Sequence, residues 1–214
     1  MRFDFVPFFH PGQNIPWTQT LDYMRQQTQL AEDAGFTTVW VTEHHFAHNG
    51  YLNAPPNPIL VCADLALHSN TIRVGQAPVV LPDWHPLRVA EDIAMLDNMT
   101  DGRVDFGVAR GIPERASIQF NPEADKRDGD KSFRIMRESL DIILKAWTQV
   151  PFSYQGEFYQ FPVPGWKEAN QFLRPFDGRY YAEDGEYVGM YIHPRPGQQP
   201  HPPVWVAARD PASF

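Results

Sequence analysis

Short apolar runs alternate with longer helical patterns from residue 3 to residue 147 of this 214-residue chain. Four runs have the length and the Val-rich or aromatic character of buried strands, and apolar residues at helical spacing follow each of them. The predicted strands are residues 3–9, 36–42, 72–81 and 104–109, and the predicted helices are residues 17–34, 58–68, 87–99 and 132–147. Repeated strand–helix units predict an α/β fold in which helices cover a parallel sheet.

Two architectures are built from such units: the closed (β/α)8 TIM barrel and the open, doubly wound sheet. A Gly-x-Gly-x-x-Gly turn after the first strand would favour the open sheet, and this sequence has none there. The barrel is therefore the predicted fold, as a single domain over residues 1–214. A fifth strand is predicted at residues 203–208, and the sequence ends where a fifth helix would begin. We therefore expect a barrel truncated after about five strand–helix units.

The pattern changes after residue 150. Ten of the 21 prolines lie in this last part of the chain. Aromatic residues alternate around Gln155-Gly156, which predicts a small hairpin. Residues 150–202 are predicted to form a long excursion from the barrel, with residues 165–200 as a binding loop or lid.

Composition excludes several classes of protein. The net charge is -8 and there is no Lys/Arg-rich run, so nucleic acid and anionic membranes are poor candidate partners. Neither a signal peptide nor an apolar run long enough to span a bilayer is evident, which predicts a cytoplasmic protein. The single cysteine, Cys62, falls in a predicted helix and is expected to be a small buried side chain.

The carboxyl ends of parallel strands carry the functional residues of such folds, and the segment after the second strand is the first candidate. It contains Glu43, His44 and His45, and a carboxylate beside a histidine suits proton transfer. Because side chains alternate along an extended chain, Glu43 and His45 should share one side and His44 the other. The alternatives are a simple strand cap, or a metal site that also uses His48.

Two further strand ends are candidates. Ala77-Pro78 interrupts the third strand, which predicts a cis peptide or bulge that opens the strand to a flat ligand, or else a simple kink. Arg110 follows the fourth strand beside Gly111 and offers a planar set of donors suited to phosphate. A surface salt bridge is the alternative for Arg110.

Three motifs give the sequence a family resemblance. Residues 39–46 (VWVTEHHF), residues 79–92 (VVLPDWHPLRVAED), and residues 96–103 (LDNMTDGR) leading into residues 106–111 (FGVARG) occur in order. They resemble the corresponding motifs of the bacterial luciferase-like, flavin-dependent monooxygenases. The resemblance covers the chain and is weakest across the Pro-rich excursion.

The resemblance implies a (β/α)8 barrel that oxidises a small organic substrate with molecular oxygen. It implies reduced FMN, supplied by a separate flavin reductase, which gives a C4a-peroxyflavin with oxygen. A homo- or heterodimer is also implied. Such an adduct needs a site without water, and Phe8, Phe46 and the lid are expected to exclude it. Alternatives are an F420-dependent oxidoreductase on the same fold, a non-catalytic flavin-binding or partner subunit, and a metal-dependent hydrolase.

By position in the motifs, the resemblance assigns the segment after the second strand to cofactor and catalysis. Glu43 would lie beside the flavin ring system. His44 would be the catalytic base or substrate-side histidine, and His45 would support it in the catalytic segment.

The resemblance assigns the other strand ends to flavin binding. Ala77 and Pro78 would bend against the isoalloxazine, and Ile112 would line the ring. Arg110 would bind the phosphate, together with Ser213 near a helix N-terminus.

Three features depart from the family pattern. Phe133 stands where a second phosphate-binding arginine is common, with Lys131 and Arg134 as possible substitutes. Asp210 stands where a small hydroxyl residue is common, and a carboxylate there would repel phosphate. Full members also continue through strands six to eight, so we expect this chain to need more sequence or a partner to close its barrel.

Overall fold

The computed structural model describes residues 3–7, 15–46, 54–112, 115–125, 127–170, 172 and 178–207 of the chain. Eight strands lie in these ranges: β1 Asp4–Phe5, β2 Thr38–Val41, β3 Arg73–Gln76, β4 Val79–Val80, β5 Val104–Ala109, β6 Tyr154–Gln155, β7 Gln160–Phe161 and β8 Val204–Val206. The α-helices are α1 Trp17–Asp33, α2 Pro58–Leu67, α3 Pro86–Met99, α4 Arg115–Phe120 and α5 Gly129–Thr148. Short 3-10 turns follow at Leu81–Asp83 and Pro122–Ala124.

The main sheet is entirely parallel, and its spatial order follows the chain. β1 pairs with β2, β2 with β3, and β5 with both halves of the interrupted third strand, β3 and β4. β8 pairs with the other side of β5. A doubly wound sheet reverses its order at a switch point, whereas a barrel keeps sequential order. The order therefore favours the barrel type, although the described strands form an open sheet with β1 and β8 at its edges.

The first strand, predicted at residues 3–9, is found only as Asp4–Phe5, and residues 8 and 9 lie outside the described ranges. The other predicted elements are found close to their expected bounds, with three differences. The third strand is broken at a cis Ala77-Pro78 peptide, one of the outcomes that the sequence left open. α4 was not predicted, because its six residues are too few to show a helical period. The hairpin exists as β6 and β7, but Gln155 is paired with Gln160, so the turn comprises residues 156–159.

Each strand of the sheet has one face towards the helices and one towards the inside of the curve. Val39, Val74 and Phe106 lie on the helix-facing side in the buried core, where Phe106 packs edge-on against Trp147 of α5. Trp40 fills the inner side above Gly75, where an added Cβ would come within 2.5 Å of its ring. The inner layer therefore depends on a tryptophan facing a glycine.

Polar groups close the amino end of the sheet. Asp105 is buried and accepts hydrogen bonds from Thr38 Oγ1 at 2.9 Å and Arg73 Nε at 3.0 Å. Gln198 reaches the same end, where its backbone N–H donates to Asp97 at 2.8 Å and its Oε1 accepts from Arg73 at 3.1 Å. This part of the excursion is thus fixed at the edge opposite the candidate site. Gln198 therefore lies away from the candidate site, and a lid or binding loop within residues 165–200 stays a prediction.

Two further features concern membranes and the cysteine. None of the helices in the described ranges combines the length and apolar character that crossing a bilayer requires. Cys62 is fully buried, and burial raises the pKa of its thiol to about 12. The thiol therefore stays protonated and is not a nucleophile.

Glu32 of α1 caps the loop that leads into β3. Its carboxylate accepts from the backbone N–H groups of Ile72 at 2.8 Å and Asn70 at 3.0 Å, and from Thr71 Oγ1 at 2.9 Å. Burial alone would raise the pKa of Glu32, but the hydrogen bonds from Ile72, Thr71 and Asn70 outweigh it and lower the pKa to about 2.

We expect Glu32→Gln to lower the free energy of unfolding by about 1 kcal/mol near neutral pH, because an amide oxygen accepts weaker hydrogen bonds than a carboxylate. The pKa is lower in the folded state. The contribution is therefore complete above the ordinary pKa of 4.5 and is lost as the pH falls towards 2. Urea unfolding of both proteins over this range should show the difference shrinking. Glu91→Gln on the surface of α3 is the control, and a difference that stays constant in acid would contradict the assignment.

Candidate functional site

The carboxyl edge of the sheet brings together the three strand ends singled out in the sequence. Glu43 follows β2, the Ala77-Pro78 break separates β3 from β4, and Arg110 follows β5. The strand pairing places the three segments at a similar height along the sheet, since Val41 lies beside Gln76 and Val80 lies beside Ala109. Parallel strands thus present all three segments on one side of the molecule.

Glu43 is the most enclosed of these residues, with 4% of its surface exposed. Its Oε2 accepts from the backbone N–H of Val80 at 3.0 Å. The indole Nε1 of Trp84 donates to Oε1 at 3.0 Å and lies 3.2 Å from Oε2. His45 Nε2 lies 2.8 Å from Oε1. The carboxylate therefore joins the segment after β2 to the end of β4 and to the turn that follows it.

The predicted alternation of side chains is confirmed. Glu43 and His45 share one side and contact each other, as expected for residues two apart on an extended chain. His44 lies between them and is half-buried, and its backbone N–H donates to the carbonyl of Pro55 at 3.1 Å. By the same alternation, the side chain of His44 is expected on the side opposite that of Glu43 and His45.

An aromatic cluster flanks this segment. The ring of His45 lies edge-on to Phe120 of α4 at 4.7 Å, and Phe120 stacks on Phe46 at 5.5 Å. Phe46 has a φ of 54°, an unusual conformation for a bulky residue. Phe46 and Phe120 are each about half exposed. Sequence reasoning missed Phe120, because it lies on the helix that was not predicted.

The strand break lies partly at the surface. Ala77 and Pro78 are partly exposed, whereas Gln76 and Val79 on either side are buried. Ile112 is 46% exposed near the same edge. The arrangement leaves an apolar and partly open surface between the ends of β4 and β5.

Arg110 follows β5, and its side chain reaches the start of α5. Its Nη1 donates to Ser132 Oγ at 3.2 Å, and its guanidinium lies over the ring of Phe133 at 4.8 Å. Phe133 therefore packs beneath the arginine and adds no charge. The contact with Ser132 was not foreseen, since the serine lies 22 residues away in sequence.

The two possible substitute cations are engaged elsewhere. Lys131 forms an ion pair with Glu123. Arg134 pairs with Glu157 at 2.9 Å and with Asp130. Both cations are thus paired with carboxylates of the protein itself. The structure therefore gives no support to the idea that they replace the missing phosphate-binding arginine.

Further titratable groups border the edge. His85 precedes α3, and burial and then the positive charge of Arg88 lower the pKa of its imidazole. Its ring meets Phe161 of the hairpin edge-on at 5.6 Å. Within the described residues, no group of three or more His, Cys, Asp or Glu side chains is arranged to hold a metal ion. Ser213, Asp210, Phe8 and His48 lie outside those residues.

The motifs agree with the comparison with known families. Residues 1–175 match the family model described as luciferase-like monooxygenase. The chain belongs to this family. Its relatives include flavin-dependent monooxygenases, so the family assignment made from the sequence is confirmed.

Individual luciferase-like relatives agree over most of the chain. The oxygenase component of the flavin-dependent trigonelline monooxygenase of Acinetobacter baylyi is 33% identical over 214 residues, 100% of this chain and 50% of the relative. The monooxygenase RslO1 from Streptomyces bottropensis superposes with a TM-score of 0.74 at 25% identity, covering 100% of this chain and 55% of that one. The chain spans about half the length of the curated relatives it matches.

One solved relative contains the cofactor expected for the family. The oxygenating constituent of 3,6-diketocamphane monooxygenase from Pseudomonas putida, in complex with FMN, is 27% identical with a TM-score of 0.63. The match covers 75% of this chain and 44% of that chain. These matches confirm the luciferase-like type of α/β fold for this parallel sheet.

The two adjacent histidines should differ in their effect on stability. We expect His45→Ala to lower the free energy of unfolding by about 2–3 kcal/mol, because it removes a partner from a buried carboxylate and leaves a gap against Phe120. His44→Ala, at a half-buried position, should cost less than about 1 kcal/mol. Urea unfolding monitored by circular dichroism measures both. Equal losses for the two variants would contradict the separation of their roles.

Proposed function

We propose that the protein acts as a flavin-dependent monooxygenase that uses reduced FMN and molecular oxygen to oxidise a small organic substrate. The observation that carries the proposal is the convergence of His44, the Ala77-Pro78 break and Arg110 at one edge of the sheet. Family membership and the FMN complex of a relative support the same function. Reduced FMN, when bound, supplies the two electrons with which one oxygen atom enters the substrate and the other leaves as water.

The flat ring system of the flavin would lie at the ends of β4 and β5. Partly exposed Ala77 and Pro78 would lie along one side of the ring, and Ile112 would contribute an apolar side chain. Phe46 and Phe120 form an apolar wall that would exclude water from the reacting atoms. Glu43 contributes indirectly, since its carboxylate is occupied by Val80, Trp84 and His45.

Arg110 is the proposed phosphate-binding side chain. A guanidinium presents several N–H donors in one plane, which matches the oxygens of a phosphate group, and the contact with Ser132 orients this guanidinium. Phe133 holds the guanidinium from below, and the start of α5 adds a partial positive charge. Ser213 remains a proposed second phosphate contact on the basis of the family pattern.

His44 is the proposed proton acceptor on the substrate side. Histidine side chains exchange protons near neutral pH, and alternation separates His44 from the buried Glu43–His45 pair. Its backbone contact with Pro55 restrains its position. His45 is proposed as its support, in agreement with its contact with Glu43.

A separate flavin reductase is the proposed partner. The trigonelline monooxygenase relative is named an oxygenase component, which implies that another protein supplies its reduced flavin. This chain would then receive reduced FMN from such a reductase. Reduced F420 is the alternative cofactor, and the two are separated by direct binding measurements.

Arg110→Ala tests the phosphate contact, with riboflavin as the matched ligand that lacks the phosphate. We expect the variant to bind FMN about 10- to 100-fold more weakly and riboflavin with nearly unchanged affinity, because it removes a charge-assisted contact to the phosphate alone. Fluorescence titration measures both affinities. Arg88→Ala on α3 is the control and should change neither. Equal weakening for the two ligands would show that Arg110 shapes the site and does not bind phosphate.

His44→Ala tests the proton acceptor. With a flavin reductase, FMN and oxygen, the wild type should add one oxygen atom to a member of a panel of trigonelline, a long-chain aldehyde and a bicyclic ketone. The variant should lose at least about 100-fold in turnover while keeping its FMN affinity, since general-base catalysis contributes on this order. Mass spectrometry of the products provides the measurement. Full turnover by the variant would refute the role of His44, and binding of reduced F420 in preference to reduced FMN would refute the cofactor.

A further inference from the structure

One side chain at the site has no role in the proposal above. Trp84 follows the 3-10 turn after β4 and is partly buried. Its indole Nε1 donates to Glu43, with distances of 3.0 Å to Oε1 and 3.2 Å to Oε2. The two residues are 41 positions apart in sequence, so the contact ties two separate strand ends together.

The indole N–H of Trp84 and the backbone N–H of Val80 can only donate hydrogen bonds. Each of them therefore needs an acceptor when the protein encloses it. Glu43 supplies that acceptor for each of them. A carboxylate that accepts from both presents its remaining lone pairs to His45, and His45 Nε2 is therefore the donor in their 2.8 Å contact.

We propose that Trp84 is a positioning residue that acts through Glu43 to fix His44. His44 is bracketed in sequence by Glu43 and His45, and these two residues are bonded to each other and to the turn after β4. The hydrogen bonds of Glu43 therefore constrain both sequence neighbours of His44. This inference rests on the proposed function for the chemistry of His44, whereas the structural coupling can be measured without it.

Loss of the indole donor has a defined consequence. Glu43 keeps Val80 on Oε2 and His45 on Oε1, so the segment stays folded but its carboxylate is held by fewer donors. A displacement of His44 by a fraction of an ångström reduces the rate of a proton transfer far more than it reduces binding. The signature is thus a change in kcat without a matching change in KM.

Trp84→Phe keeps an aromatic ring at the position and removes the N–H. We expect kcat to fall about tenfold, with KM and the Kd for FMN within about twofold of wild type. Trp17→Phe is the matched control, since Trp17 is 38% exposed at the start of α1, and it should leave all three constants unchanged. A change in KM or Kd alone, with kcat preserved, would overturn the proposal.

A double-mutant cycle tests whether Trp84 acts through Glu43. In the Glu43→Gln background, adding Trp84→Phe should change kcat by less than about twofold, because the route is already interrupted. A further tenfold loss in that background would show that Trp84 acts independently, which overturns the proposal.

Nitrogen NMR of the histidine rings supplies a readout without substrate or flavin. The wild type should show His45 protonated on Nε2 and hydrogen-bonded, and Trp84→Phe should shift the signals of His45 and His44, whereas Trp17→Phe should not. If these shifts occur but the wild type oxidises no substrate, the positioning stands and the proposed function fails. If the wild type turns over and Trp84→Phe changes neither the signals nor kcat, the positioning fails.

Discussion

The Glu43 carboxylate needs hydrogen-bond donors because it lies almost entirely out of contact with water. A charge buried without partners costs several kcal/mol, so the surrounding chain must supply them. Val80 supplies a backbone N–H from β4, and Trp84 supplies an indole from the turn that follows. His45 completes the set. The relative placement of two strand ends thus follows from satisfying one carboxylate.

Local periodicity made the strands and long helices predictable, because each pattern is contained within a few turns or residues. The side on which Glu43 and His45 meet followed from the same reasoning. The contact between Glu43 and Trp84 could not be predicted in this way, since the two residues are 41 positions apart and no local pattern links them. α4 escaped prediction because of its length, and with it Phe120. Arg110 was found from its place after a strand, but Ser132 was not.

Arg110 is the cation proposed to bind the phosphate, and the neighbouring positions of α5 add little to it. Phe133 replaces a second cation with an aromatic face, which holds the guanidinium of Arg110 in place at 4.8 Å. Lys131 and Arg134, the nearby cations of α5, are paired with carboxylates. Affinity for an anion would therefore depend on one oriented side chain and the helix start. The proposed exchange of flavin with a reductase would suit such a moderate affinity, because a cofactor delivered by another protein must also leave.

The excursion after α5 is held firmly where it leaves and rejoins the sheet. Phe152 pairs with Met190 near its beginning, Arg195 donates to the carbonyl of Trp147 at 3.0 Å, and Gln198 is bound to Asp97. Lengthening a loop between fixed ends costs conformational entropy only logarithmically. The chain between these anchors is therefore free to accept insertions or to diverge in length. New surfaces can be added there while the opposite edge, with Glu43 and Arg110, keeps its geometry.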